Sequence, residues 1–176
     1  MSRMNRALAL PVCCVLAMLP LAPRTALAQT AIIEGAAGAG TGASFGTGNG
    51  ATVVLMSPVF VDVDVIFSTD EFPKLEYAVA LQAEVQGRVS AGIIPQLRLN
   101  NGSGKLSLYG LVGVPFFLAP FTMLGVEAGA GVVWRMTETL GLYGEALLDL
   151  FIIGNDLQKD GILVRLDGCV GLRVRF

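Results

Sequence analysis

The sequence predicts an all-β protein, a single closed antiparallel up-and-down transmembrane β-barrel of about eight strands. Three observations lead to this prediction. Apolar and polar residues alternate with a period of two through most of residues 51 to 176, as they do in half-buried strands. Only 15% of the residues are charged, against about 25% in typical globular proteins, so one surface is expected to face something other than water. The amino terminus carries an export leader.

The leader is the first feature along the chain. Arg3 and Arg6 precede an apolar run from Ala7 to Ala22, and Ala26-Leu27-Ala28 supplies the small residues of a cleavage site. We therefore expect residues 1 to 28 to be a cleaved signal peptide, which leaves 148 residues for a single domain. The apolar run is shorter than the roughly 20 residues of a spanning helix, and prolines interrupt it.

The glycine-rich stretch that follows is the weakest part of the pattern. Residues 29 to 50 carry seven glycines and are predicted to be a glycine-rich amino-terminal segment or a first strand. The barrel itself is predicted to occupy residues 51 to 176. Its first part alternates, with Asp62 and Asp64 on the polar face. Pro58 is expected to break this strand or force it to an edge, because proline has no N–H to donate to a neighbouring strand.

Residues 75 to 99 alternate without interruption, yet 25 extended residues would span roughly 80 Å, too far for one strand. A turn is therefore expected near Gly87, with an odd number of loop residues, because an odd loop keeps both apolar sets on one face. The predicted strands are residues 31 to 45, 51 to 67, 75 to 86, 90 to 99, 105 to 118, 121 to 134, 139 to 152 and 162 to 176. Most of these strands are long enough to span a membrane at a tilt, which requires about 9 to 11 residues.

The two faces of the strands differ in a way that indicates which one points outward. The polar face mixes its charges with very small residues such as Ala78, Gly92 and Gly129, which suits a cramped barrel interior. The chain beyond residue 28 has only three lysines, few for a sheet that faces water. The apolar side chains are therefore expected to point into lipid. The predicted interface aromatics, all near strand ends, are Phe67, Tyr77, Phe116 and Trp134.

The last strand carries the most specific feature. Gly171-Leu172-Arg173-Val174-Arg175-Phe176 alternates up to a terminal phenylalanine. In this feature and in its strand pattern the chain resembles the small eight-stranded outer-membrane β-barrels of the OmpA and OmpX type. The resemblance implies residence in outer-membrane lipid and delivery by periplasmic chaperones to the barrel-assembly machinery. The assembly signal that it implies comprises Val170, Leu172, Val174 and Phe176, although the family often has an aromatic residue where Val174 stands.

The sequence contains no histidine. This removes the usual proton carrier of Ser-His and Cys-His catalysis and the commonest metal ligand, so we expect no enzyme, no metal site and no cofactor. Residues 38 to 43 superficially fit a dinucleotide-binding turn but lack a following helix. Nine basic and fourteen acidic residues follow residue 28, a net charge of −5, so nucleic acid is not an expected partner. Cys169, the only cysteine there, is expected to be a small core residue.

The charges of the polar face are predicted to form a structural network inside the barrel. By parity the interior would hold eight acids and seven bases, which should pair because an unpaired buried charge is costly. The predicted network comprises Glu84, Glu127, Glu145, Asp149, Arg165, Asp167 and Arg173. The seven bases are Arg88, Arg98, Lys105, Arg135, Arg165, Arg173 and Arg175. A proton or ion path along the same residues is the alternative.

Together these features predict an integral outer-membrane β-barrel protein with a structural or envelope-associated role and a side-chain-filled lumen. Two alternatives stay open: a soluble periplasmic lipocalin-like ligand-binding barrel with its apolar face inside, and a narrow ion-conducting barrel. A wide porin is excluded by strand number, since open pores take about 16 strands. The predicted loops are short except near residues 153 to 161, and the sequence identifies no ligand.

Overall fold

A computed structural model describes residues 31 to 48, 51 to 69, 72 to 86, 89 to 102, 104 to 119, 122 to 155, 157 and 161 to 176. The predicted signal peptide and Arg88 lie outside these residues. The strands are β1 (Ala31–Gly48), β2 (Ala51–Met56), β3 (Val59–Thr69), β4 (Phe72–Gln86), β5 (Ser90–Asn100), β6 (Leu106–Gly113), β7 (Phe116–Ala119), β8 (Met123–Arg135), β9 (Leu140–Gly154) and β10 (Ile162–Arg175). Among the described residues there is no helix with the length and apolar character needed to cross a membrane.

Regular alternation of side chains builds these strands. In β5 every second residue from Ser90 to Asn100 is buried, and the residues between them are exposed. The middle parts of β3 and β4 show the same pattern. The buried positions belong to the polar face of the sequence and the exposed ones to its apolar face, so valine, leucine and isoleucine cover the outside.

The ten segments form eight barrel strands. β2 and β3 are two halves of one strand, interrupted at residues 57 and 58, and β6 and β7 are two halves of another, interrupted at residues 114 and 115. Each strand pairs antiparallel with its neighbours, and β1 pairs with β10 along most of its length, which closes the sheet. The predicted fold, a closed antiparallel up-and-down barrel of eight strands, is confirmed.

The interruption before β3 falls at Pro58, as predicted. Because proline cannot donate a backbone hydrogen bond, other groups hold the chain at this point. The Ser57 N–H donates to the Gly42 carbonyl at 3.0 Å, and the Thr41 hydroxyl donates to the Ser57 carbonyl at 3.1 Å. The hydroxyls of Ser44 and Ser57 are hydrogen-bonded at 2.9 Å. β2 thereby stays paired with β1 beyond the point at which β3 loses its pairing with β4.

The connections lie at the two ends of the barrel. Residues 31 and 176 and three connections lie at what we name the terminal end, and four connections lie at the opposite, distal end. At the distal end β4 stops at Gln86 and β5 starts at Ser90, so three residues separate them, the predicted odd number. The pairing of Leu75 with Leu99 accordingly keeps both apolar sets outside. The longest gap between strands, residues 155 to 161, is also distal.

The closed sheet is offset in register by ten residues. Following opposite residues once around the barrel leads from Glu34 on β1 to Ser44 on the same strand. Such an offset tilts the strands against the barrel axis. The residues met on the way are Ile66, Ala78, Gln96, Gly113, Glu127, Asp149 and Arg165. These positions face inward, so the offset brings several polar side chains next to one another inside the barrel.

Candidate functional site

The inside of the barrel holds the buried charges. Nine carboxyl groups and three arginines of the described residues are no more than 8% exposed. They are Glu34, Asp62, Asp64, Glu76, Glu84, Glu127, Glu145, Asp149 and Asp167, with Arg98, Arg165 and Arg173. Since a buried charge needs a partner, the contacts of these groups decide what the interior can do.

At the distal end Arg165 joins two acids. Its guanidinium lies 2.7 Å from Glu84 and 2.7 Å from Asp167, and all three side chains are at most 1% exposed. The same guanidinium lies 5.9 Å from the centres of two phenylalanine rings, close enough for cation–π attraction. Ser90 donates a further hydrogen bond to Glu84. The distal cluster is defined as Glu84, Ser90, Arg165 and Asp167.

Midway along the barrel Arg98 is the main donor. Its Nη2 atom lies 2.6 Å from Asp64 and 3.5 Å from Glu145. Its Nε and Nη2 atoms also donate to the Gln96 side-chain carbonyl, at 2.9 and 2.6 Å. Tyr109 donates to Glu145 and lies under the Arg98 guanidinium, 5.6 Å from ring centre to Cζ. These contacts fix the orientation of the Gln96 amide, because its carbonyl must face Arg98.

Asp62 is held by two uncharged donors. The Tyr143 hydroxyl donates to it at 3.0 Å and the Cys169 thiol at 3.3 Å. Gly38 on β1 makes room for this arrangement, since a Cβ atom there would collide with the Tyr143 hydroxyl and the Cys169 sulfur. The glycine-rich first strand is therefore a packing requirement of the interior. Cys169 is buried among these groups, which fits the core position predicted for it.

At the terminal end three arginines converge on Glu34. Arg173 donates to it, and Arg175 and Arg135 lie 2.7 and 3.0 Å from its Oε1 atom. Arg173 also lies 2.8 Å from Glu76. The side chains of Arg135 and Arg175 are 17% and 41% exposed, so these two lie at the rim. The terminal cluster is defined as Glu34, Glu76 and Arg173.

One pair of buried acids makes no ion pair among the described residues. Glu127 on β8 lies directly opposite Asp149 on β9, and each is 3% exposed. The Gln96 amide donates to Glu127 at 2.8 Å. Gly113 leaves the space for this contact, since a Cβ atom there would lie 2.8 Å from a Glu127 oxygen. Among the described residues no ion pair links Glu127 or Asp149 to an arginine or lysine.

The seven residues of the predicted charge network are all buried, but they do not form one connected group. Glu84, Arg165 and Asp167 meet in the distal cluster. Glu127 and Asp149 form the acid pair. Glu145 lies beside Arg98, and Arg173 is in the terminal cluster.

The expected balance of eight interior acids and seven interior bases is wrong. Lys105 is exposed, and Arg135 and Arg175 lie at the rim, while Arg88 is outside the described residues. Parity fails here because these residues stand at or beyond strand ends, where a long side chain can carry its charge to water. The described interior is consequently rich in carboxyl groups.

Three members of the interior were missed by sequence reasoning. Tyr109 and Tyr143 fall on the polar face by parity, and that signal was sufficient to assign both as partners of interior acids. Glu34 lies in the glycine-rich stretch, where alternation is too weak to assign a face. No local pattern marks it as the partner of Arg173, which is 139 positions away.

The predicted interface aromatics lie at the two ends of the outer surface. Phe67 stands opposite Tyr77, and Trp134 is at the same terminal end. These three are 41 to 52% exposed. Phe116 lies at the distal end and is half-buried. Phe45, which was not predicted, is exposed on the distal outer surface as well.

The residues of the predicted assembly signal lie on the outer face of β10. Val170, Leu172 and Val174 are exposed there, and Phe176 is 84% exposed. The Phe176 N–H donates to the Ile33 carbonyl at 3.1 Å, which holds the end of the chain against β1. Recognition of these residues by an assembly machinery stays a prediction.

One cavity of the described interior is small. A cavity of about 20 Å³ lies between Asp64, Gln96, Arg98, Glu127 and Glu145, with further interior side chains around it. This volume is close to that of one water molecule. Within the described part of the chain, no group of three or more cysteine, aspartate or glutamate side chains is arranged to hold a metal ion. The contacts above are ion pairs and hydrogen bonds.

Comparison with known proteins finds solved structures of the same fold. No family model and no curated protein matches the sequence. Neisserial surface protein A has a similar structure, with a TM-score of 0.63 at 13% sequence identity over 84% of this chain and 99% of that one. A de novo designed transmembrane β-barrel matches at 0.50 and 15% identity, over 82% and 95% of the two chains.

The N-terminal β-barrel domain of Pseudomonas aeruginosa OprF matches with a TM-score of 0.50 at 14% identity, over 80% of this chain and 97% of that domain. Structural similarity at such low sequence identity shows a shared fold. This chain has eight antiparallel barrel strands, a charged interior and an apolar outer surface. The chain has the fold of the small eight-stranded outer-membrane β-barrels, the group that its sequence resembles.

Proposed function

We propose that this chain is an integral outer-membrane β-barrel protein with a structural or envelope-associated role. The observation that carries the proposal is the inverted distribution of its side chains. On β3, Val61, Val63 and Val65 are 42 to 53% exposed, whereas Asp62 and Asp64 between them are buried. Water would disfavour so large an apolar surface, and a lipid bilayer favours it.

A lumen filled by side chains is part of the same proposal. Ion clusters occupy both ends of the interior and Arg98 its middle, and one cavity beside Arg98 has room for about one water molecule. An eight-stranded barrel is only wide enough for its own side chains. We therefore expect the folded protein to be electrically silent in a planar bilayer.

A narrow cation-conducting barrel is the second candidate, because the described interior holds nine buried carboxyl groups and three buried arginines. Planar-bilayer recording separates the two candidates. Steps of cation-selective current from correctly folded protein would support conduction, and silence would support the filled lumen. A soluble lipocalin-like barrel is disfavoured, since it would need its apolar face inside.

The route to the membrane is proposed from the sequence. Residues 1 to 28 would act as a cleaved signal peptide, and periplasmic chaperones would deliver the chain to the barrel-assembly machinery of a Gram-negative cell. Expression of the full chain tests this step. We expect mass spectrometry of the membrane-extracted protein to give a chain that starts after Ala28.

The main experiment is refolding of residues 29 to 176 into detergent micelles, followed by gel electrophoresis with and without boiling. A compact band that shifts on boiling, together with β-type circular dichroism, is the expected result. A mature chain that is monodisperse in water without detergent, and does not bind micelles or vesicles, would overturn the proposal.

A further inference from the structure

We propose that Glu127 is a neutral carboxylic acid in the folded barrel and donates a hydrogen bond to ionised Asp149, so that the interior stores one proton between β8 and β9. The two residues are direct cross-strand neighbours on the inner face, and each is 3% exposed. Because the proton must leave at high pH, the pair also makes barrel stability depend on pH.

The position of the two acids favours a proton between them. An ionised carboxylate only accepts hydrogen bonds, so two ionised carboxylates side by side repel each other and cannot bond. Glu127 and Asp149 lie directly opposite each other, each is 3% exposed, and no ion pair among the described residues includes either of them. A proton on one of the two removes the repulsion and supplies a donor.

The neighbouring donors are already engaged. Arg98 fixes the Gln96 amide with its carbonyl toward the guanidinium, so the amide can offer only an N–H to Glu127. Arg165 uses its nitrogens on Glu84 and Asp167. The Asp149 Oδ1 atom is buried without a hydrogen-bond partner among the described residues. Full ionisation of both acids would leave two adjacent, poorly compensated negative charges.

The surroundings indicate which acid is neutral. Arg165 on β10 lies directly opposite Asp149, and a nearby positive charge favours the ionised form. Glu127 lies opposite Asp149 and lines the same cavity as Glu145, and nearby negative charges favour its neutral form. Arg98 also lines this cavity, but it is paired with Asp64 and Glu145. The charged groups that face the pair from the surrounding strands are Asp62 and Asp64 on β3, Glu84 on β4, Arg98 on β5, Glu145 on β9, and Arg165 and Asp167 on β10.

Two matched substitutions test the proposal. Glu127→Gln replaces a neutral acid by a neutral amide whose N–H can still donate to Asp149, so the urea midpoint of the refolded protein should stay near that of the wild type. Glu76→Gln is the control, since Glu76 is equally buried but is bound to Arg173. That change removes a charge from an ion pair and should lower the midpoint clearly.

The pH dependence gives a second readout. A group that keeps a proton in the folded state, and has lost it in the unfolded state, makes stability fall as pH rises. The wild type and Glu76→Gln should therefore lose stability as the pH rises from about 4, where an unfolded glutamate starts to ionise, through neutral pH, and Glu127→Gln should lose much less. Equal pH slopes for all three proteins would overturn the proposal.

Infrared spectroscopy reads the proton directly in the wild type. Folded protein at neutral pH should show the carbonyl band of a protonated carboxyl group, and Glu127→Gln should lack it. Absence of the band from the folded wild type refutes the stored proton. Heat-modifiable mobility, measured on each sample, reports separately whether the barrel itself has formed.

Discussion

Arg165 shows how a buried cation stabilises this barrel. Its guanidinium contacts Glu84 and Asp167 at 2.7 Å, and all three side chains are at most 1% exposed. Such a cluster adds little to the free energy of unfolding compared with a well-packed apolar core. Removal of one member is nevertheless costly, because it leaves the others charged and buried. Arg175 is the contrasting case, because it is 41% exposed and shares Glu34 with two other arginines.

Arg165→Met should therefore destabilise the barrel by about 3 to 5 kcal/mol, since Glu84 and Asp167 lose their partner. Arg175→Met is the control and should cost less than about 1 kcal/mol, because water screens the exposed arginine. Urea unfolding in micelles measures both values. Equal losses from the two variants would contradict the assignment of the distal cluster as a buried ion cluster.

Glycine has opposite roles on the two faces of the paired strands β6 and β8. Gly131 faces inward, and a Cβ atom there would collide with the ring of Tyr109. Gly110 on the neighbouring strand faces outward, and the nearest atom to its Cβ position is 3.9 Å away. The inward glycine is thus required by the tyrosine that it covers, and the outward one is not.

Gly131→Ala should destabilise the barrel by about 1 to 3 kcal/mol, because Tyr109 would have to leave its hydrogen bond to Glu145. Gly110→Ala should be neutral or slightly stabilising, since alanine is less flexible than glycine in the unfolded chain. Thermal unfolding in micelles measures the two variants. Similar melting temperatures for both would show that the Tyr109 ring yields without cost.

The last strand gives a prediction about assembly. Phe176 is 84% exposed and contributes little packing to the folded barrel. If it is read as part of an assembly signal, Phe176→Ala should slow the appearance of heat-modifiable protein in the outer membrane of cells and leave refolding into micelles unchanged. Trp134→Ala removes another exposed aromatic residue at the same end and should not affect assembly. Slow refolding of Phe176→Ala in micelles would assign Phe176 to folding instead.

Most of the fold was predictable from residue types, and the pairing of charges was not. Alternation predicted the strands, the outward face and the odd loop before Ser90, because these depend on neighbours in sequence. Pairings such as Arg173 with Glu76, 97 positions apart, depend on the ten-residue register offset. No local pattern specifies that offset, so the predicted single network was resolved into separate clusters only by the structure.

The entire molecule is built inside out relative to a soluble protein. Val63 lies near the middle of β3 with 53% of its surface exposed, and Val89 lies at the distal end with 74% exposed. In water both positions would accept a charge equally well. In a bilayer the cost of a charge depends on depth.

Val63→Arg should destabilise the barrel in lipid vesicles by about 2 to 4 kcal/mol, whereas Val89→Arg should cost only about 0 to 1 kcal/mol. Denaturant titration of vesicle-embedded protein measures the difference. Two small and equal effects would mean that the outer surface meets water, and the membrane assignment would then fail.

The seam between β1 and β10 has a consequence for timing. β1 is synthesised early, but its partner from Glu34 to Thr47 is the last strand described. Until β10 is available, the chain can form only an incomplete sheet with two unpaired edges and an exposed apolar face. Such a sheet is prone to aggregation before it reaches the membrane. The yield of this protein should therefore depend on how long the unfinished sheet is protected from aggregation, and depletion of the chaperones that hold it should lower that yield.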